Sequence, residues 1–301
     1  MTVMTQERAR FKPGAAWLTG LKQSLAVTTL LNRRLLFSGS MLVLVIGFGV
    51  LGPIVLGRDN PMKTVGGLYD PPSEKIWLGT DNFGRDVFTQ LMHGTRTSLV
   101  IGAIAGMEAI LIGLLIGTMA GYIGGVVEEV LMALTNVVIT IPSIVILILL
   151  SIAISTRSIF AMGLIIGLTS WPWTARAVSA QTSSMRTREH VDIARLSGAG
   201  TLSLVIWEIL PYMLSYVVMA FVLQLNTGIL QEAALSMLGL GPSNTISLGQ
   251  MLHWALLWES VRTGAWWGFA PPALFLTLIA FSLLLLQASV DEILNPRLRK
   301  A

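Results

Sequence analysis

The sequence places one acidic residue, Glu108, in the middle of a long apolar stretch, where a carboxylate could relay a proton or line a polar passage. A lone carboxylate in lipid is costly, so Glu108 should face protein or water. A proton relay would need a chain of such groups, and the apolar stretches add few polar side chains: Asn136, Gln224, Asn226 and Thr227. Both roles, packing between helices and lining of a translocation pathway, remain open for Glu108, Asn136, Gln224 and Asn226.

Motifs for catalysis and metal binding are missing from the sequence. It has no cysteine, and its three histidines, His93, His190 and His253, are far apart, so neither a thiolate nor a histidine metal site is predicted. No Gly-x-x-x-x-Gly-Lys-Ser/Thr, His-Glu-x-x-His or Gly-x-Ser-x-Gly pattern occurs. We therefore predict a non-catalytic chain that binds no metal, cofactor or nucleic acid itself, and any nucleotide energy it uses must come from a partner.

A polar island, residues 186–211, interrupts the apolar sequence and ends in Ile-Leu-Pro. Thr187 is a plausible N-cap, Glu189 and Asp192 suit a first helical turn, and Gly198 can end a helix. These features predict a helix, a turn and a second helix. The island is either an amphipathic segment on the bilayer surface or a docking contact for a groove on another protein.

The composition predicts an all-α membrane protein, since 53% of residues are hydrophobic, 12% are charged and the mean hydropathy is +0.73. Apolar runs long enough to cross a bilayer predict six transmembrane helices. Thirteen of the 20 Lys and Arg residues lie in the N-terminal leader, in residues 176–211, which include the island, and in the C-terminal tail, so the positive-inside rule places the island and both termini in the cytoplasm. The predicted spans are 36–57, 98–122, 130–154, 158–176, 212–231 and 268–289.

These spans divide the chain into a cytoplasmic leader, a first transmembrane helix, an outer segment, a larger transmembrane domain and a cytoplasmic tail. Within the larger domain, Gly113, Gly117 and Gly121 predict close approach of another helix, and Pro142 predicts a kink. Four tryptophans near the last span, Trp254, Trp258, Trp266 and Trp267, are typical of an interfacial belt or a lid over a passage. The boundaries are 1–35, 36–57, 58–96, 97–290 with the loop 186–211, and 291–301.

The island resembles the cytoplasmic coupling loop of permease subunits of binding-protein-dependent ABC importers. That loop reads Glu-Ala-Ala, three residues, Gly, nine residues, Ile-x-Leu-Pro. Asp192-Ile193-Ala194, Gly198 and Leu210-Pro211 occupy the same spacing here. This chain departs from the pattern in having Asp for the Glu, Ile193 for the first Ala and Glu208 where Ile is expected.

A second set of motifs is similar to the C-type permease subunit of the dipeptide, oligopeptide and nickel family. In the outer segment these are Leu78-Gly79-Thr80-Asp81, Gly84-Arg85-Asp86-Val87 and Gly94-x-Arg96-x-Ser98-Leu99. The resemblance continues in the same order over residues 33–300. The later motifs are Gly121-Tyr122-x-Gly124-Gly125, Pro142-Ser143, Leu235–Gly241 and Asp291-Glu292 to Asn295–Leu298.

The resemblance implies a type I ABC importer permease fold with a coupling helix and an outer segment of short helices, in a bacterial or archaeal cytoplasmic membrane. The implied partners are a second homologous permease, two ATPases that hold ATP and Mg²⁺, and an external substrate-binding protein. Asp81, Arg85 and Asp86 would form either a structural cap or a contact with the binding protein. The residues implied in ATPase coupling are Glu189, Asp192, Ala194, Arg195, Gly198, Leu210 and Pro211.

Peptides are the substrates that the resemblance implies first, and oligosaccharides or nickel chelates are alternatives with the same architecture. Residues 241–249 and the tryptophans after them look like the carbohydrate-carrying branch. A secondary transporter and a purely structural membrane scaffold are the competing functional classes. The inverted repeat and paired broken helices typical of many secondary transporters are not visible in the sequence.

Overall fold

The computed structural model of the 301-residue chain describes residues 33–154 and 157–294. Apart from two isolated β-bridges in the outer segment, the regular elements in these ranges are helical, which confirms the all-α class. Most of the predicted leader and tail lies outside the described residues. The helices are α1 (Arg33–Val50), α2 (Gly52–Val55), α3 (Val87–Ile123), α4 (Gly125–Thr140), α5 (Ser143–Ala153), α6 (Ile159–Arg186), α7 (Glu189–Leu196), α8 (Thr201–Ser203), α9 (Leu210–Leu235), α10 (Leu248–Leu257) and α11 (Trp266–Leu294).

Helix α3 is the centre of the bundle, and its glycines allow other helices to approach closely. A Cβ added to Gly113 would lie 2.6 Å from the Cβ of Thr174 on α6, and one added to Gly117 would lie 2.6 Å from the Ala175 carbonyl oxygen. On another side of α3, a Cβ on Gly106 would lie 2.9 Å from the Leu225 nitrogen on α9. The predicted glycine stripe is therefore a packing surface, as small residues are in membrane helices.

The glycine contacts also give the relative directions of the helices. Along α3, Gly113 lies beside Thr174 and Gly121 lies beside Thr182, so α3 and α6 run parallel. Two parallel neighbours need a segment between them that returns along the bundle. Helices α4 and α5 connect α3 to α6 and are that segment.

Helices α4 and α5 are bent by 84° at the break between Thr140 and Ser143. Ile141 is extended, with φ −84° and ψ 126°, and Pro142 precedes the first residue of α5. Proline has no amide donor and disfavours helical geometry in the residue before it, so the helix cannot continue through this point. The predicted kink at Pro142 is confirmed.

Four helical stretches within the described ranges are each long and apolar enough to cross a membrane, and α4 with α5 adds a fifth if the bent pair counts as one span. Helix α6 is 28 residues long, but from Pro172 onward it carries Arg176 and several small polar residues, which lower its hydropathy. Six crossings therefore remain a prediction. The four stretches are Arg33–Val50, Val87–Ile123, Thr201–Leu240 and Trp266–Glu292.

The polar island and the outer segment lie at opposite ends of the bundle. At one end Arg186 donates to the Tyr122 carbonyl oxygen at 3.1 Å, which joins the ends of α6 and α3 next to α7. At the other end Trp267, on α11, donates through Nε1 to the Thr80 carbonyl oxygen at 2.9 Å. Partner contacts at the island and at the outer segment would therefore be separated by the length of the bundle.

Candidate functional site

Helix α7 forms the first half of the island, and Gly198 ends it. Arg188, with ψ 144°, is the N-cap residue, whereas Thr187 ends α6 and its hydroxyl donates to the Ser184 carbonyl oxygen at 3.4 Å. The expectation that Thr187 caps α7 is therefore wrong by one residue, because α6 continues up to it. Gly198 has φ +86°, and α8 starts at Thr201, so the predicted helix, turn and helix are present.

One apolar side chain fastens α7 to the bundle. Val191 is fully buried against Val178 of α6, Leu204 and Ile209 of the second half of the island, and Met213 of α9. Burying an aliphatic side chain of this size contributes about 1.5–3 kcal/mol. Helix α7 is thereby attached to two long helices at once.

His190 adds a polar attachment between α7 and the start of α9. Its Nε2 lies 3.2 Å from the Glu208 carbonyl oxygen, and its ring lies 4.5 Å from the ring of Tyr212. Residues 204–209 form a π-helical turn immediately before Leu210 and Pro211. Pro211 has no amide donor, so the helix lacks one hydrogen bond to the carbonyl four or five residues before it, and the Glu208 carbonyl near this break lies within hydrogen-bond distance of His190.

The opposite face of α7 is largely exposed in the part of the chain that the structure describes. Ile193 is 57% exposed and Leu196 is 88% exposed, although both are large and apolar. Asp192 and Arg195 form an exposed ion pair of 2.7 Å. Of the other residues predicted for coupling, Glu189 and Gly198 are exposed, Ala194 is half-buried beside the Val191 cluster, and Leu210 and Pro211 are half-buried at the start of α9.

Glu108 lies at a groove between α3 and α6. Its side chain abuts Gly167 of α6, and its Oε2 is buried without a hydrogen-bond partner among the described residues. The groove has a volume of about 590 Å³ and is otherwise apolar. Besides Glu108, its lining consists of Ala103, Ile104, Met107, Leu111, Ile112 and Leu164.

Gln224 and Asn226 lie inside the helix packing. The Gln224 side-chain amide donates to the Ser170 carbonyl oxygen at 3.0 Å and to the Thr174 hydroxyl at 2.8 Å, which joins α9 to α6. Asn226 is 7% exposed, and its Oδ1 has no partner among the described residues. The geometry thus gives Gln224 the packing role that the sequence left open.

Asn136 lies on a different surface from Gln224 and Asn226. It is exposed on α4, and its Oδ1 accepts a hydrogen bond from the guanidinium of Arg176 on α6. Sequence reasoning overlooked Arg176 because the fourth predicted span ended there. The four predicted pathway residues therefore do not share one lining.

Glu232 is a second buried carboxylate that sequence reasoning missed, so Glu108 is not the only acidic residue inside a long helix. It is fully buried, and its two carboxyl oxygens accept from Ser98 at 2.8 Å and from Ser236 at 2.6 Å. The Ser98 hydroxyl also accepts from the Leu248 amide at 3.2 Å. The network joins α3, α9 and α10. The sequence feature that could have identified Glu232 is its position directly after the predicted span 212–231.

The acidic residues of the outer segment are engaged in local hydrogen bonds. Asp81 Oδ1 accepts from the amides of Phe83 and Arg85 at 2.8 and 2.9 Å, and its Oδ2 accepts from the Gln90 side chain at 2.7 Å. Asp86 is the N-cap of α3 and forms an ion pair with Arg58. Both carboxylates are therefore used to fold the segment, as the cap interpretation expects.

Aromatic rings complete the outer segment. Arg85 lies 4.4 Å from the Phe83 ring centroid, and Phe83 packs edge-on against Trp254 at 5.2 Å. Trp267 is 9% exposed and donates a hydrogen bond to the Thr80 carbonyl oxygen, whereas Trp258 and Trp266 are more than half exposed. Two of the four tryptophans are thus packed in the protein and are not available as membrane anchors.

Tyr69 connects the outer segment to the loop after α10. Its hydroxyl donates to the Trp258 carbonyl oxygen at 3.1 Å. Burial, and then the nearby Asp81 carboxylate, raise the pKa of Tyr69 above its ordinary value of 10.0, which favours the protonated hydroxyl that donates this hydrogen bond. Within residues 33–154 and 157–294, no group of three or more His, Asp or Glu side chains is arranged to hold a metal ion.

Comparison with known proteins places the chain beside transport permeases. The model of one family, described as "Binding-protein-dependent transport system inner membrane component", matches residues 113–300. The dipeptide transport system permease protein DppC of Bacillus subtilis is 29% identical over 83% of this chain and 78% of its own length.

Two further relatives are also named as permease proteins of peptide transport systems. The oligopeptide transport system permease protein OppC of Bacillus subtilis is 30% identical over 86% of this chain and 84% of its own length. The di/tripeptide transport system permease protein DppC of Pseudomonas aeruginosa is 28% identical over 86% of this chain and 87% of its own length. The match therefore extends over most of the chain and most of each relative.

Proposed function

Because this chain belongs to the family of inner membrane components of binding-protein-dependent transport systems, we propose that it forms half of the passage of an ATP-driven peptide importer. Members of this family are multi-pass membrane permeases and not enzymes. The substrate is proposed from the relatives, whose names refer to dipeptides, oligopeptides and di/tripeptides. The proposed partners are a second homologous permease, two ATPases that bind ATP and Mg²⁺, and a substrate-binding protein outside the cell.

The observation that carries the coupling proposal is the two-sided character of α7. One side is fixed to α6 and α9 through Val191 and His190, and the other side exposes Ile193 and Leu196. Exposed large apolar side chains on a short, anchored helix are typical of a protein contact surface. A movement of the bound ATPase would then be transmitted to α6 and α9 as a rigid-body shift.

Six crossings are proposed for the membrane topology, with the island and both termini in the cytoplasm. The parallel packing of α3 and α6 supports this count, because the α4–α5 segment must cross back for α6 to start at the same side as α3. The excess of Lys and Arg in the leader, island and tail supports the orientation.

Oligosaccharides are less well supported as substrates than peptides. The tryptophans that suggested stacking on sugars include Trp254, which packs against Phe83, and Trp267, which is buried and hydrogen-bonded to Thr80. Rings held in this way cannot turn to cover a sugar face.

Reconstitution tests the proposal. The permease pair would be assembled in liposomes with its two ATPases, with the loaded binding protein outside and the nucleotide inside. We expect uptake of a labelled dipeptide with ATP and none with a non-hydrolysable analogue. Uptake that continued with the analogue and stopped when a proton gradient was collapsed would contradict the proposal and indicate a secondary transporter.

A further inference from the structure

Arg176 is a cation on an exposed surface of the helix bundle. It lies on α6, and its side chain reaches across to α4, where the guanidinium donates to Asn136 Oδ1. The same guanidinium lies 5.6 Å from the ring centroid of Trp173, which is 65% exposed. The three side chains form one polar and aromatic surface, the Arg176 cluster.

The depth of this cluster follows from the packing of α6 on α3. Gly113 lies beside Thr174, and Gly117 lies beside Ala175 and Val178, so Arg176 is level with the stretch between these two glycines. Six residues separate Gly117 from the end of α3 at Ile123, which is roughly 9 Å of helix. The Arg176 cluster is therefore at a depth where α3 is still apolar.

The guanidinium also points away from the nearer helix end. Trp173 precedes Arg176 by about one helical turn, so a cation over its ring leans toward the start of α6. Helical side chains lean in this direction by default. To reach water at the end of α6, the Arg176 side chain would have to extend in the opposite direction. The contact with Trp173 therefore keeps the charge at the level of the apolar part of α3.

The charge of Arg176 is not suited to contact with lipid. Among the residues that the structure describes, no Asp or Glu forms an ion pair with it. A charged side chain in the hydrocarbon region is costly and normally faces a bundle interior or a water-filled cavity. Arg176 itself should therefore face water or polar groups and not lipid.

We propose that the Arg176 cluster is a substrate subsite in the wall of the passage, and that it binds the terminal carboxylate of a peptide in transit. This inference rests on the proposed function. A guanidinium presents a planar fork of donors that matches a carboxylate, and Asn136 fixes the orientation of that fork. Trp173 offers an apolar surface beside it for the peptide side chains.

The terminal carboxylate is the natural ligand for such a subsite because every unmodified peptide has one, whatever its sequence. A contact with this group would hold many different peptides equally. Other charged residues on the peptide would not be required. The subsite thus matches a permease that accepts peptides of mixed sequence.

The first experiment measures the maximal rate of ATP-driven uptake in proteoliposomes at saturating binding protein loaded with dialanine. We expect Arg176→Gln to lower this rate at least tenfold and Arg176→Lys to keep an intermediate rate. Arg262→Gln, an exposed arginine at the outer end, is the matched control and should have no effect. An unchanged rate in Arg176→Gln overturns the subsite, whereas absence of ATP-driven uptake in the natural chain overturns the proposed function itself.

The second experiment keeps the inference testable if Arg176→Gln fails to fold. Because the chain has no cysteine, Trp173→Cys gives a single thiol for a charged thiol reagent, and Leu115→Cys, at a similar depth on α3 and 62% exposed, is its apolar control. We expect Trp173→Cys to react faster than Leu115→Cys. Dialanine should slow the reaction, and dialanine amide should not. Equal protection by both peptides, or protection by the second permease without any peptide, would overturn the inference.

Discussion

Gly198 ends α7 in a backbone conformation, φ +86°, that residues with a Cβ adopt only with strain. Its position was predictable from the sequence, since a glycine after an amphipathic stretch is typical of a helix end. The attachments of α7 were not predictable in the same way. Val191 packs against side chains 13 or more positions away in the chain, and His190 contacts the Glu208 carbonyl 18 positions away. A local sequence pattern does not specify such contacts.

Replacing Gly198 with Ala tests the turn. A Cβ at this position meets no other atom within 4 Å, so the expected effect comes from φ alone, at about 1–2 kcal/mol. We expect the exit of α7 to shift and peptide uptake to fall roughly tenfold, because 1.4 kcal/mol changes an equilibrium tenfold. Gly200→Ala is the control, since its surroundings are equally open and its φ is −72°. Equal uptake by both variants would show that the conformation of the turn is unimportant.

Replacing Glu232 with Ala tests the buried network. The change leaves the hydroxyls of Ser98 and Ser236 without their acceptor, and each unsatisfied buried group costs about 1–3 kcal/mol. We expect a melting temperature lower by roughly 5–10 °C in detergent. Glu232→Gln keeps the shape of the side chain and should lower the melting temperature by less than Glu232→Ala.

The control for the Glu232 variants is Glu129→Gln, at an exposed carboxyl on α4. Its melting temperature should match that of the natural chain. A drop of the same size in this control would indicate a general sensitivity to lost charge and would contradict a special role for the network.

At the scale of elements, the sequence predicted the helices well and their mutual arrangement only in part. The kink at Pro142 and the close packing at Gly113 and Gly117 follow from local chemistry, since proline lacks a donor and glycine lacks a side chain. Arg176 and Glu232 were missed because both lie at ends of predicted spans, where hydropathy does not show whether a helix continues. Which helix faces which also depends on contacts between distant segments.

Enlarging Gly117 tests the packing of α3 on α6. A Cβ there would lie 2.6 Å from the Ala175 carbonyl oxygen, so Gly117→Leu forces the helices apart at a cost of about 1–3 kcal/mol. We expect a lower melting temperature and loss of uptake. Gly47→Leu on α1, where an added Cβ meets nothing within 4 Å, should behave like the natural chain. Equal stability of the two variants would contradict the close approach of α3 and α6.

For the whole molecule, the two surfaces proposed for partner contacts lie at the two ends of one bundle. The outer segment is folded by Asp81 and Asp86 and held by Trp267, and the island is held by Val191. Helices α6 and α9 each pack on α3 through glycines, and the three helices connect these ends. Such a body can transmit a displacement from one end to the other without large changes inside its helices.

The number of crossings depends on α6, and single cysteines at its two ends test it. Phe160→Cys is near the start of the helix at a position 62% exposed, and Ser184→Cys is at an exposed position near its end. In intact cells, an impermeant maleimide should label Phe160→Cys and leave Ser184→Cys unlabelled until the membrane is opened. Labelling of both positions from the same side would contradict six crossings.

If α7 carries the force of ATP hydrolysis into the permease, a cross-linker attached at Leu196 should reach an ATPase subunit. Leu196 is 88% exposed on α7, and Leu68, 69% exposed in the outer segment, serves as the control at the other end. In the assembled transporter, a short thiol-reactive cross-linker on Leu196→Cys should capture an ATPase subunit, and on Leu68→Cys it should not. Capture of the ATPase from Leu68→Cys, or of the substrate-binding protein from Leu196→Cys, would mean that α7 does not dock on the ATPase.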